Sequence, residues 1–324
     1  MYWAEKIRRG RFVVVGRAGM DLYADPPGTR TEDAVQFTAA LGGSSANIAV
    51  ALARLGQQVA LVSTVSDDAV GRFCLNELAR YGVDTAHVRS LRGEMRTSLA
   101  VVETRPVPQS VIYRNNAADF GLSVADIGLD WASVGALILT GTALAVDPSC
   151  TACLAAMSQA HAAGVPVILD IDYRPYSWES RAKAAGAYEA AAHFADIVVG
   201  NDDEFGVLAG DYDAGLALAR KMGRRSTGFV IYKMGARGAI TISPDVEFET
   251  PIFPVTALKP TGAGDAFMGG LMAGLADGLP LSDAVTQGAA AAAIVVTRVG
   301  CAPAMPTQTE VNDFMKAHHA HPAV

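Results

Sequence analysis

The sequence predicts an α/β protein built on a doubly wound, mostly parallel sheet flanked by helices, with a small β lid inserted into it. Three observations predict this. From Ser45 onward, short apolar runs of strand length alternate with segments of helical spacing, the pattern of a parallel sheet with crossover helices. Two stretches break the rhythm: the polar, Pro- and Gly-containing segment Leu22 to Leu41, and TSLAVVET (97–104) joined through RPVPQ to SVIYRN (110–115), which reads as a hairpin. No repeat, low-complexity tract or linker divides the 324 residues. One domain is therefore expected over 1–324, with a lid formed by about 20–41 and 96–118.

The elements follow in order. SANIAVALARLG (45–56) carries Ile48, Leu52 and Leu55 at helical spacing and closes on Gly56. QVALVSTV is the next strand, and a helix from about Asp68 to Tyr81 ends before Gly82. Strands are expected at ALILT (136–140), VPVILDI (165–171), DIVVG (196–200) and GFVIYK (228–233). Gly288 to Val296 is apolar and Ala-rich but half the length of a membrane span, which makes it a buried helix.

Composition narrows the function classes. Hydrophobic residues at 51% and charged residues at 18%, with 32 Gly and 15 Pro, describe a folded globular chain and exclude collagenous or disordered classes. With 26 Lys and Arg against 33 Asp and Glu, the net charge of −7 provides no global field for nucleic acid or anionic lipid. An anionic substrate would need a local basic site. The apolar run Phe12 to Val15 is too short for a signal-peptide core, and four cysteines in a chain this long read as reduced thiols, so a cytoplasmic protein is expected. Cys150 and Cys153 form a CxxC without a second pair or a nearby His, inside an Ala-rich helical stretch, which favours packing over metal. The tail AHHAHP (317–322) reads as a solvated end.

The sharpest motif is TGAGDAFMGGLMAGLADG (261–278). Gly262, Ala263 and Gly264 let backbone N–H groups converge at the start of a helix, whose free donors and positive dipole end suit a phosphate or a transferring phosphoryl group. Asp265 follows, and a carboxylate there fits either an N-terminal cap or a proton acceptor for an attacking hydroxyl. GxxxxGK[ST] is absent, and the near match to GxGxxG at 262–267 fails at Phe267. In LGGSSANIA (41–49), Gly42 and Gly43 stand at the mouth of a helix with Asn47 in its first turn, by themselves an ordinary glycine turn and cap. NDDE (201–204) puts Asn201 and Glu204 at the carboxyl end of a strand, as caps or as oxygen ligands for a hydrated Mg²⁺. KMGARG (233–238) gives Lys233 after another strand, with Gly235 and Gly238 open to a nucleotide, or simply a solvated lysine turn.

Taken together and in this order, the motifs resemble the PfkB, or ribokinase-like, family of carbohydrate kinases over nearly the whole chain. The family's N-terminal glycine signature resembles Gly42, Gly43 and Asn47, its NxxE motif Asn201 to Glu204, and its C-terminal signature Lys259 to Asp265. The resemblance implies Asp265 as catalytic base, Gly262, Ala263 and Gly264 as anion hole, and Asn201 with Glu204 as organisers of Mg²⁺. It also implies ATP as phosphoryl donor and Asp21, in GRAGMD, as a substrate contact. Many relatives use an acidic residue at the first position of the C-terminal signature in a K⁺ site, whereas this chain has Lys259.

Within the family, GRAGMDLYAD (16–25), YRNNAAD (113–119), DIDYRPYSW (170–178) and GCAPAMPT (300–307) are similar to the branch that phosphorylates 5-dehydro-2-deoxygluconate in myo-inositol catabolism. A sugar acid needs a cationic partner, for which Arg114 and Arg174 are candidates, beside Asp172 for hydroxyl groups. The alternative for Arg114 is a hairpin surface charge, and for Arg174 an ion pair with Asp170 or Asp172. Another kinase of the family, acting on 2-keto-3-deoxygluconate, fructose or ribose, is the nearest alternative, and a non-catalytic sugar-binding regulator a further one. In this family an exposed β lid often pairs with a second subunit, so a homodimer through the lid is an expectation as well.

Overall fold

The computed structural model describes residues 2–318, and the AHHAHP tail lies outside them from His319 onward. The strands are β1 (Arg11–Val15), β2 (Gly19–Asp25), β3 (Gln36–Gly42), β4 (Val59–Ser66), β5 (Val88–Leu91), β6 (Ser98–Val102), β7 (Ser110–Tyr113), β8 (Val134–Thr140), β9 (Val167–Asp170), β10 (Ile197–Asn201), β11 (Phe229–Lys233), β12 (Ala239–Ile242) and β13 (Glu247–Thr250). The α-helices are α1 (Tyr2–Arg9), α2 (Ser44–Arg54), α3 (Ala69–Arg80), α4 (Ser149–Ala162), α5 (Arg181–Ala192), α6 (Asp202–Ala209), α7 (Gly215–Gly223), α8 (Ala263–Ala276), α9 (Leu281–Val296) and α10 (Gln308–Ala317).

Nine strands form the main sheet in the order β13-β12-β11-β10-β9-β8-β1-β4-β5, parallel from β11 through β5 and antiparallel at β12 and β13. Its central strands are apolar on both faces, as a sheet covered by helices requires. Phe12 and Val14 of β1 join a core with α1, α2, α3, α8 and α9, while Val13 and Val15 point to the opposite core under α4, α5 and α7. The antiparallel strands β12 and β13 were not anticipated from the sequence. They lie in short turn-bounded runs, AITI and EFET, that carry little apolar length.

The order of strands reverses between β1 and β8, and α/β sheets bind ligands outside the carboxyl ends at such a switch point. A second sheet, β3-β2-β6-β7, stands over that end. Its inner face packs Tyr23, Ala40, Ala100 and Val102 with Ile112, and its outer face leaves Phe37, Val111 and Tyr113 exposed. The TSLAVVET and SVIYRN segments pair as expected, Leu99 opposite Tyr113 and Val102 opposite Ser110. Among the described residues no helix is long and apolar enough to cross a membrane.

Candidate active site

Between the two sheets lies a cleft of about 1020 Å³. Successive strand ends supply its floor: Arg17 after β1, Thr142 after β8, Asp170 and Asp172 at β9, Asn201 and Glu204 at β10, and Lys233 at β11. The α8 N-terminus closes one side. Gly262 caps that helix at φ 85°, a left-handed conformation that leaves the next N–H groups free to point into the cleft.

Asp265 sits in the first turn of α8 and is buried. Its Oδ2 accepts a hydrogen bond from Asn47 Nδ2 of α2 at 2.8 Å, a pairing of residues 218 apart in the chain. Burial, with Asp172 close by, lifts its carboxyl from 3.8 to about 7, although Asn47, Arg174 and Lys233 pull it back down. A carboxyl there exchanges a proton near neutral pH. Burial likewise raises Asp170 and Glu204 against the pull of Lys233. For Lys233, burial alone would depress the ammonium, but Asp170, Glu204, Asp265 and Asp172 outweigh it and keep it charged. Its Nζ lies 3.9 Å from Asp170 Oδ1 and reaches the start of α8, where a Cβ on Gly264 would be 3.5 Å away. Lys233 is thus no solvated turn residue. It faces the glycine-rich start of α8, Gly262 to Gly264, across the cleft.

Asn201 and Glu204 form a reciprocal capping box: Asn201 Oδ1 accepts from the Glu204 N–H at 2.8 Å, and Glu204 Oε2 from the Asn201 N–H at 2.7 Å. Glu204 Oε1 accepts in addition from the Tyr173 N–H at 3.2 Å, so one carboxylate ties together the ends of β9 and β10. Among the described residues no three His, Cys, Asp or Glu side chains converge to ligate an ion directly. The chemistry of the donor set fits a hydrated cation instead. Asp170, Asp172, Glu204 and Asp265 outnumber the cationic groups facing them, and Mg²⁺ keeps several of its waters when bound by one or two carboxylates.

Asp21 on β2 and Asp172 after β9 are buried and line the cleft. Asp21 accepts from the Tyr23 hydroxyl at 3.1 Å and packs so closely on Gly42 that a Cβ there would fall 2.0 Å from its Oδ1. Asp172 accepts from Ser44 at 2.6 Å and Thr142 at 3.2 Å, and pairs with Arg174 at 2.8 Å. Arg114 is buried, not a surface charge. It is held by Asp119 Oδ2 at 2.5 Å, by Ser177 Oγ at 3.3 Å and over the Phe120 ring at 4.2 Å. Gly43 caps α2 and lines the cleft. Gly235 opens onto the cleft with nothing near its Cβ position, whereas Gly238 owes its small size to β13, since a Cβ there would meet Thr250 O at 2.2 Å. Gly238 lines the cleft as well, so close backbone packing adds a second demand on that position.

Sequence reasoning missed Arg17, Ser44, Thr142 and Asp170 as cleft residues. Arg17 and Asp170 had a readable signal, each lying at the carboxyl end of an apolar strand. Lys259 is fully buried, with Nζ donating to Thr261 O at 2.5 Å and Val295 O at 3.4 Å, and burial lowers its pKa.

Comparison with known proteins agrees with this geometry. Residues 10–308 match the model of the pfkB family carbohydrate kinase. The chain is 37% identical to a 5-dehydro-2-deoxygluconokinase of Geobacillus kaustophilus over 314 residues, 95% of this chain and 94% of that one. It is 40% identical to a 5-dehydro-2-deoxygluconokinase of Photobacterium profundum over 311 residues, 94% of each. Among solved structures, a fructokinase double mutant from Vibrio cholerae O395 in its fructose-, ADP- and potassium-bound form superposes with a TM-score of 0.85 at 27% identity, covering 95% of this chain and 98% of the other. A buried carboxyl at the glycine-capped end of a helix, beneath a second sheet and in a chain so matched from end to end, leaves one assignment: the protein belongs to the pfkB family of carbohydrate kinases.

Proposed function

We propose that the protein transfers the γ-phosphoryl group of ATP to the primary hydroxyl of 5-dehydro-2-deoxygluconate, giving the 6-phosphate, as a cytoplasmic enzyme of myo-inositol catabolism. The acceptor is argued from the shared name of the curated relatives at 37–40% identity. The observation that carries the chemistry is Asp265, buried at the N-terminus of α8 with its carboxyl near pH 7.

In this reading the acceptor's C6 oxygen attacks the γ-phosphorus, the bond to the β–γ bridging oxygen breaks, and the hydroxyl proton passes to Asp265. Asn47 holds that carboxylate in place through its 2.8 Å bond. Backbone N–H groups of Gly262, Ala263 and Gly264, with the Lys233 ammonium, stabilise negative charge on the transferring group, where phosphoryl transfer depends mostly on positioning and electrostatics. Asp21, Asp172, Arg114 and Arg174, with Gly43 and Asn47, would form the acceptor side of the cleft, Gly42 backing Asp21 from behind, and Lys233 with the Gly235 turn the nucleotide side. Glu204, with Asn201 and Asp170, would hold Mg²⁺ through water, and the ion supplies charge neutralisation between the phosphates. The second sheet acts as a lid that excludes water, a competing nucleophile. Its apolar outer face, with Phe37, Val111 and Tyr113, is the surface through which two copies would pair, to be checked by sedimentation equilibrium.

The reading is tested by coupled ADP release over a panel of 5-dehydro-2-deoxygluconate, 2-keto-3-deoxygluconate, fructose and ribose. The highest kcat/KM is expected for the first. A higher value for another acceptor transfers the assignment to that sugar, and no ADP release with any of them removes the kinase reading altogether.

A further inference from the structure

Three guanidinium groups line the cleft, and two of them are neutralised within the protein. Arg114 gives two N–H groups to Asp119 Oδ2, at 3.0 and 2.5 Å, and Arg174 pairs with Asp172 at 2.8 Å. Arg17 differs. Its side chain makes one hydrogen bond, Nη1 to Ser98 Oγ at 2.9 Å, and among the described residues it has no carboxylate partner. Asp21 is near enough to feel its charge but is bonded to the Tyr23 hydroxyl instead.

The surroundings of Arg17 are built to hold it. Its carbonyl accepts from the Ala46 N–H at 3.2 Å, which anchors its backbone to α2. Its guanidinium lies against the bare backbone of Gly19, where a Cβ would come within 2.9 Å of Nη1 and 2.7 Å of Ser98 Oγ. Gly19 and Ser98 are themselves paired across β2 and β6. A guanidinium carries five N–H donors, so one bond to a neutral hydroxyl leaves the edge needed for a two-pronged bond to a carboxylate. A cleft that already contains Asp170, Asp172, Glu204 and Asp265, in a chain of net charge −7, repels an anionic acceptor unless one cation remains uncompensated.

We propose that Arg17 binds the carboxylate of the acceptor and is the residue that makes the enzyme prefer a sugar acid. The inference rests on the acceptor class given under Proposed function, and the experiment separates the two. For the wild type, Arg17→Gln and Arg17→Lys, kcat/KM is measured with 5-dehydro-2-deoxygluconate and with D-fructose, and calorimetric binding of an ATP analogue verifies that each variant is folded. The wild type should prefer the acid. In Arg17→Gln the acid-to-fructose ratio should fall roughly 10- to 100-fold, the worth of a hydrogen bond to a charged group, mainly through the KM for the acid. Arg17→Lys should lie between, because an ammonium keeps the charge and loses the fork. A wild type that prefers fructose overturns the acceptor reading. A wild type that prefers the acid, with both variants within about threefold of its ratio, overturns the role of Arg17 alone, as does loss of the preference in Arg174→Ala but not in Arg17→Gln. If Arg17→Gln is not recovered folded, the ratio in Arg17→Lys decides by itself.

Discussion

Replacing Asp265 by Asn should make the protein a far worse enzyme and a more stable fold at the same time. A carboxyl moved from 3.8 to about 7 by burial carries its anion at a cost of about 4 kcal/mol at pH 8, taking 1.36 kcal/mol for each pH unit. The sign follows from linkage: the folded state holds the proton more tightly than the unfolded one, so the cost is absent at low pH, grows as pH rises from about 4 to about 7, and is complete above that. Asn is neutral at every pH and keeps the shape. Its amide also meets Asn47 Oδ1, a buried oxygen with no hydrogen-bond partner. The variant should gain up to about 4 kcal/mol at pH 8 and about 1.5 kcal/mol at pH 5, or at most about 6 °C and 2 °C in Tm at roughly 1.5 °C per kcal/mol for this length. Turnover should fall roughly 10²–10⁴-fold, the usual worth of a general base, while an ATP analogue still binds. Scanning calorimetry at both pH values and coupled ADP release provide the two readouts, and wild-type kcat should itself decline as pH drops through about 7. Turnover near that of the wild type would refute the base. A Tm gain equal at pH 5 and pH 8 would refute the electrostatic account of its burial.

Lys233→Met should move the acidic limb of the kcat profile above pH 7, because Lys233 is one of the groups holding the Asp265 carboxyl down; an unshifted limb contradicts this. Exchanging K⁺ for tetramethylammonium at constant ionic strength should leave activity nearly unchanged, since the Lys259 ammonium already sits on Thr261 O and Val295 O; strong K⁺ activation would refute it. Arg114→Ala should cost about 3–5 kcal/mol by stranding the buried Asp119, whereas Arg174→Ala, whose guanidinium is half exposed at 49%, should cost under about 1 kcal/mol; thermal melts that reverse the order would undo both readings.

The strands from β8 to β11 were readable because each is a run of Val, Ile and Leu between polar turns, and α3 because Asp68 caps it, accepting from the Val70 and Gly71 N–H groups. The glycine turn that caps α8 was readable for a similar reason, as small residues directly before an apolar helix are a local signal. What stayed hidden is long-range. Nothing near Asn47 announces that its amide will meet Asp265, and the burial of Arg114 depends on the chain folding back so that Asp119 and Phe120 enclose it. At Gly238 the demand of the neighbouring strand was invisible too, because a glycine spared for backbone packing and one spared for a ligand are the same letter.

The chain enters or leaves the second sheet at four places, and two of these crossings are very short. Only Gly16 to Ala18 separate β1 from β2, and only Gly43 separates β3 from α2. The other two crossings, 92–97 and 114–133, are longer, so any swing of the small sheet would be shared among all four, with the first two as its shortest pivots. Arg17 lies in the first of these short crossings. Its backbone is bonded to α2 while its guanidinium is bonded to Ser98 of the second sheet, so the residue spans both bodies. Movement of the small sheet on the microsecond-to-millisecond scale would carry Asp21 and Tyr23 with it, and its stiffness would be set by these crossings together.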